Sequence, residues 1–214
     1  MSFFLPHDLL KLETLNDLEG DTPAPDWVAD SLATAPWVVV RRAMAPTGQV
    51  AVGVRGRERH QRWGARLPIK AVAECWRPEA VVERLAMLPP ARAAVVPALA
   101  AIPDLMAALA ARGLVGGPTG STGFELASGR PTATAASDLD AMVRAPKLLE
   151  RALAVDLVQA LAVLAVRCDV VLETPAGAIA LAEYARAPGP VAARGPHGPR
   201  LVADPWAKDE ELGA

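Results

Sequence analysis

The hydrophobic pattern changes period several times along the chain. Two β-type runs come first, Trp37-Val-Val-Val-Arg41 and Gln49-Val-Ala-Val-Gly-Val-Arg55. Ala45-Pro-Thr-Gly48 lies between them as a turn signal, so the pair predicts a β-hairpin. Helical spacing follows. Pro78 suits the first position of a helix over Glu79–Met87, and Pro89-Pro90 ends it at a domain boundary. Leu99, Ile102, Leu105, Met106 and Leu109 recur at helical intervals up to Gly113, a fitting C-cap. A glycine-rich stretch, 113–123, then interrupts the pattern and puts Gly120-Ser121 at a turn. Asp138–Arg144 reads as a strand. Pro146 opens a long amphipathic helix with Leu149, Leu153, Leu157, Leu161 and Leu164 on one side, and Val166–Glu173 reads as a further strand. The Pro- and Gly-rich segment Pro188–Pro199 predicts a surface loop before Leu201–Trp206. Strand, helix and strand in that order predict an α/β or α+β unit. The division is residues 1–89, β-rich with an arginine-rich hairpin, and residues 90–214, a mixed sheet with helices.

Charge sharpens this picture. Residues 1–40 hold seven acids and one lysine, whereas residues 41–70 hold seven arginines and one lysine against the single acid Glu58. Arg55, Arg57, Arg59, Arg62 and Arg66 therefore form either a solvated edge that resists strand pairing or an anion-binding face. With a net charge of −2, the chain as a whole is no basic nucleic-acid binder. Cys75 and Cys168 are the only cysteines and form no CxxC pair, which argues against a disulfide framework or a thiolate zinc site. They read as two small buried or half-buried thiols. The apolar run Ala93–Ile102 is broken by Pro97 and followed by Pro103-Asp104, so it does not span a bilayer. The N-terminus lacks the basic region of an export signal. A cytoplasmic protein without membrane contact is the expectation.

The chemistry is concentrated in three carboxylates. Asp138 and Asp140 stand at i and i+2 on the expected strand and project from one face. Two carboxylates so placed repel each other unless a cation lies between them. Asp169, on the later strand, faces the same way if the strands are neighbours. Hard oxygen ligands of this kind suit Mg²⁺ with substrate phosphates. Gly120-Ser121 offers backbone N–H groups and a hydroxyl to a phosphate, with neither a Walker A nor a GxGxxG pattern. His7, His60 and His197 share no metal-like spacing. The five tryptophans read as core anchors, and Glu173 shares the face of Asp169.

Gly120-Ser121, Ser137-Asp-Leu-Asp140 and Asp169 together resemble the DNA polymerase β-like nucleotidyltransferase superfamily. The wider string Gly117-Pro-Thr-Gly-Ser-Thr-Gly-Phe-Glu-Leu-Ala-Ser-Gly129 is similar to one branch, the phosphoribosyl-dephospho-CoA transferases (holo-acyl-carrier-protein synthases) of malonate decarboxylase. So are Pro6-His-Asp-Leu-Leu10, Val38–Arg42, Val52–Gly56, Gln61-Arg62, Asp169–Thr174 and Ala203–Trp206. The resemblance implies a polymerase β-like catalytic domain in residues 90–214. It also implies a donor, triphosphoribosyl-dephospho-CoA, and an acceptor, a serine of the apo acyl-carrier subunit, with pyrophosphate released. By the same resemblance Asp138 and Asp140 hold Mg²⁺ and the triphosphate, Asp169 is a third ligand or the general base, and Gly120 and Ser121 hold the departing phosphates. The arginine block then meets either the donor phosphates or an acidic carrier surface, the carrier being preferred. Two other readings stand beside this one: a nucleotidyltransferase that adds a nucleoside monophosphate to another acceptor, and a non-catalytic binding module of the same fold. Three mutually repelling acids weigh against the module.

Overall fold

A computed structural model of the chain describes residues 4–58, 60–186 and 188–207. Arg59 of the arginine block and Lys208 lie outside them. The first half is a six-stranded antiparallel sheet. Its strands are β1 (Leu9–Leu12), β2 (Glu19–Gly20), β3 (Trp37–Val40), β4 (Gln49–Arg55), β5 (Arg62–Pro68) and β6 (Val72–Trp76). Their order is β2-β5-β4-β3-β1-β6. β3 and β4 form the expected hairpin, turning through Gly48 at φ +84°. Alternation sorts the side chains by face. Leu10, Leu12, Val38, Val40, Val50, Val52, Trp63, Ala65 and Leu67 pack beneath α1 (Trp27–Thr34), which inserts Val28 and Leu32. Leu9 and Trp37 point the other way and join the core of the second half.

Between the sheets runs a helical connection. The expected helix over 79–87 is only one α-turn, α2 (Pro78–Val81), continued as a 3₁₀ helix, Val82–Met87. It packs on elements of the second half, burying Val81 in that core. α3 (Pro90–Val95), α4 (Pro97–Ala100) and α5 (Ile102–Ala110) follow, and Gly113 closes the turn at φ +64°. Each of these helices places a proline in its first turn, where the missing N–H costs no hydrogen bond.

The second half is a six-stranded mixed sheet. It contains β7 (Val115–Pro118), β8 (Leu139–Arg144), β9 (Cys168–Thr174), β10 (Gly177–Ala180), β11 (Val191–Gly195) and β12 (Gly198–Val202), paired in reverse sequence order. Only β8 and β9 run parallel; α7 (Arg151–Leu161) makes the crossover between them, and α6 (Gly120–Ser128) and α8 (Leu181–Arg186) complete the layer. The α+β class and the mixed sheet with helices agree with the sequence reading.

Four local expectations are corrected. The glycine-rich stretch holds a nine-residue helix, α6, not only a turn; Gly129 at φ +68° caps it through an N–H to the Glu125 carbonyl, 2.8 Å. The segment Pro188–Pro199 contains most of the β11–β12 hairpin. Pro199 is tolerated there because β12 is an edge strand and needs no N–H from it. α7 begins at Arg151, not Pro146, because Ala145 extends the β8 pairing through an N–H to the Glu173 carbonyl, 2.9 Å. β8 begins at Leu139, so Asp138 precedes the strand. Among the described residues no helix is long and apolar enough to cross a membrane.

Candidate active site

A cleft of about 1310 Å³ opens between the two sheets. Its floor is the junction of β7 with α6. The Thr119 N–H donates to the Asp140 carbonyl, 2.8 Å, which ties this junction to β8. Gly120 follows with φ +58°, in the left-handed region that glycine enters without strain. A Cβ there would overlap the Asp140 carboxylate, so glycine is required twice, by conformation and by contact. Gly120→Ala is therefore expected to cost about 1–2 kcal/mol of backbone strain and to displace the carboxylate. Activity should fall far more than stability; equal turnover in the alanine variant, measured beside its melting temperature, would show that Asp140 needs no such seat.

Asp140 and Asp169 are register partners on the parallel strands β8 and β9 and project from one face of the sheet. The sequence expectation that Asp169 stands beside the acid pair is met for Asp140. Asp169 is exposed and is held by Arg167, whose Nη2 lies 3.0 Å from one carboxylate oxygen and 3.2 Å from the other. Asp138 is half-buried and lies outside the residues that line the cleft. Ser121 is likewise off the cleft wall: its hydroxyl lies 3.5 Å from that of Ser137. Among the described residues no three His, Cys, Asp or Glu side chains converge as a metal-holding set.

The loop that carries Asp138 is fixed from behind. Glu125 of α6 is 1% exposed. It takes a two-point hydrogen bond from Arg92, 2.8 and 2.9 Å, and the N–H groups of Thr132 and Ala133, each 2.9 Å. Burial alone would raise this carboxyl; the Arg92 and backbone donors outweigh it and hold it below the usual carboxylate range.

The opposite wall is basic. Arg55 and Arg62 are register partners across β4 and β5 and both line the cleft. Burial and then the neighbouring Arg62 lower the Arg55 guanidinium, while Asp140 acts against both. Among the described residues neither arginine is in an ion pair with a carboxylate. The arginine block is thus divided: Arg55 and Arg62 line the cleft, whereas Arg66 pairs with Glu19 and Asp21 at 3.6 Å. Cys168 also lines the cleft. Burial, then Asp169 and Asp140, push its thiol up to about 12, which favours the protonated form. Cys75 is exposed on β6, contrary to the expectation of a buried or half-buried thiol, which the half-buried Cys168 meets.

A seam of ion pairs joins the two sheets beside the cleft. His7 has φ +74°, and its Nε2 lies 3.1 Å from Glu173, which Arg42 also binds. Burial would raise the Glu173 carboxyl, but His7 and Arg42 bring it down. The next residue, Asp8, is 0% exposed. It accepts from the Leu5 N–H, 2.9 Å, and from Arg144, 3.1 Å. Glu173 is therefore occupied in this seam and does not join Asp169.

Arg55 and Arg62 escaped sequence reasoning as a pair, although a signal was present. Gly53-Val-Arg55 and Arg62-Trp-Gly64 mirror each other about residues 56–61, and hairpin register then sets glycine against glycine and arginine against arginine.

Residues 5–78 match the family model described as the phosphoribosyl-dephospho-CoA transferase MdcG N-terminal domain, and residues 84–205 match its C-terminal domain. A phosphoribosyl-dephospho-CoA transferase of Pseudomonas putida is 45% identical over 202 residues, covering 94% of this chain and 95% of that protein. Proteins of the same name from Pseudomonas aeruginosa and Azotobacter vinelandii are each 43% identical, each match covering 94% of this chain and 93% of the relative. No solved structure matches the chain.

Proposed function

The chain belongs to the phosphoribosyl-dephospho-CoA transferase family, and from that membership we propose the reaction it performs. In the cytoplasm it moves the phosphoribosyl-dephospho-CoA group from its triphosphate precursor to a serine of the apo acyl-carrier subunit of malonate decarboxylase. Pyrophosphate leaves. The supporting observation is the pairing of opposites across one cleft: Arg55 beside Arg62 on one wall, Asp140 beside Asp169 on the other. Two adjacent cations that, among the described residues, form no ion pair with a carboxylate suit a polyphosphate, and two adjacent carboxylates suit a cation that accompanies it.

In this reading the serine oxygen bonds to the α-phosphorus of the triphosphate while the bond from that phosphorus to the pyrophosphate oxygen breaks. The electron pair departs on pyrophosphate, which Arg55, Arg62 and the first-turn N–H groups of α6 receive. Thr119, the N-cap of α6, makes no side-chain hydrogen bond to that turn, which leaves its donors for phosphate. Asp169, exposed at the rim, takes the serine proton. The sequence pattern Gly120-Ser121, Asp138-Leu-Asp140 and Asp169, with Asp140 and Asp169 as register partners, supports the polymerase β-like nucleotidyltransferase class.

The residues fit Mg²⁺. This ion needs one or two carboxylates and completes its shell with phosphate oxygens and water, so a set of three protein ligands is not required. Asp140, seated against Gly120, would hold it with Asp138, or with Asp169 where that acid is a third ligand and not the base. When bound, the ion would offset negative charge on the transferring phosphates.

The test mixes the purified chain with Mg²⁺, apo carrier protein and either triphosphoribosyl-dephospho-CoA or ordinary nucleoside triphosphates, and reads intact mass. A carrier heavier by the phosphoribosyl-dephospho-CoA group is expected. A nucleotide adduct in its place would select the other nucleotidyltransferase reading, and an unmodified carrier under all conditions would reject both. In the same assay Ser121→Ala should lose roughly 10- to 100-fold in catalytic efficiency, the worth of one hydrogen bond to a charged group. An unchanged rate would remove Ser121 from phosphate binding.

A further inference from the structure

Gly53 of β4 and Gly64 of β5 are register partners that line the cleft. Glycine inside a strand weakens it and marks places where something approaches the backbone closely. What lies there is Arg41. Its Cγ and Cδ pass over Gly53, 3.5 and 3.3 Å from the position a Cβ would take, and its guanidinium covers Gly64, where a Cβ would overlap it. Asp21 accepts from Arg41 Nη1 at 2.9 Å, and the Asp21 N–H in turn donates to the Gly64 carbonyl, 3.0 Å. The side chain is thus laid along the sheet and anchored at its tip. Val39 and Leu9 continue the same row of register partners away from Gly53, and both line the cleft.

Arg41 differs from Arg55 and Arg62 in one respect that decides its use. It shares the Asp21 carboxylate with Arg66, and part of its N–H edge is engaged. A guanidinium so held has less to offer a phosphate but keeps a face on which a π-system packs. We propose that Arg41 is the platform on which the purine base of the donor stacks, with Val39 bordering the base. This rests on the reading of the donor as a dephospho-CoA derivative, and it separates base recognition from the phosphate contacts of Arg55 and Arg62.

The test is equilibrium binding by the full chain of dephospho-CoA, AMP, 4′-phosphopantetheine and inorganic triphosphate. Arg41→Ala should weaken dephospho-CoA and AMP roughly 5- to 100-fold, while the two ligands without a base change by less than about twofold. Arg41→Lys keeps the charge without the plane, so it should bind AMP nearly as poorly as the alanine variant. It also carries the test if Arg41→Ala does not fold. Unchanged AMP affinity in both variants overturns the proposal. So does an equal loss for triphosphate, which would make Arg41 a phosphate clamp. A wild-type chain that binds AMP through Arg41 but makes no carrier adduct would overturn the donor reading and leave the platform standing.

Discussion

Asp140→Asn is expected to lower the transfer rate by at least about a thousandfold at saturating Mg²⁺, with the fold intact. Loss of one ligand to a cation that offsets phosphate charge removes about 4 kcal/mol of transition-state stabilisation. The side chain keeps its shape, so the contact with Gly120 survives. Two electrostatic changes oppose each other in the folded protein. Asp169, the register partner, loses a like charge beside it, while Arg55 loses an attraction that now favours its charged form. The melting temperature should therefore move little. Single-turnover modification of the carrier, followed by mass, is the decisive measurement; a rate near that of the wild type would remove Asp140 from the chemistry.

Glu125→Ala should be the most destabilising of the changes considered, by about 3–5 kcal/mol. It removes the acceptor of four hydrogen bonds at once and leaves Arg92 and the Thr132 and Ala133 N–H groups without it. Chemical denaturation with the variant and wild type side by side reads the loss. Glu125→Gln keeps the volume and loses the charge, and should cost less. The sign of its pH dependence is fixed. The folded carboxyl titrates below its ordinary value, so the stability it adds is complete above the unfolded value of about 4.3. That increment is lost as pH falls through the folded value. The gap between wild type and Glu125→Gln should thus narrow in acid. A gap independent of pH from 7 down to about 2 would mean that the carboxylate charge contributes nothing.

The hairpin of β3 and β4 was legible because valines alternate around a Pro-Thr-Gly turn, and β8 and β9 because their apolar runs are short and bounded. α6 was hidden by its composition. Gly120, Ser121, Thr122 and Gly123 are poor helix formers, and the helix is held by burial of Phe124, Leu126 and Ala127, which local spacing does not reveal. β11 and β12 were hidden by proline and glycine that an edge hairpin tolerates. In the site, the acids were legible from their i, i+2 spacing. That Asp140 stands level with Asp169 is a matter of parallel register across a crossover of more than twenty residues. His7 meets Glu173 across 166 positions, a distance no local pattern encodes. Arg41 was read as one charge in a block, because the paired glycines that give it a bed became partners only when the strands aligned.

The seam beside the cleft has a consequence for how such proteins are recombined. His7 and Asp8 are neighbours in the chain, and they grip Glu173 and Arg144, which are themselves partners on adjoining strands. The four side chains join the two sheets, two of them coming from residues 7–8 and two from β8 and β9. A chimera that grafts the first sheet of one relative onto the second sheet of another inherits two residues from each parent. It is expected to keep both ion pairs only where the parental halves agree at all four positions.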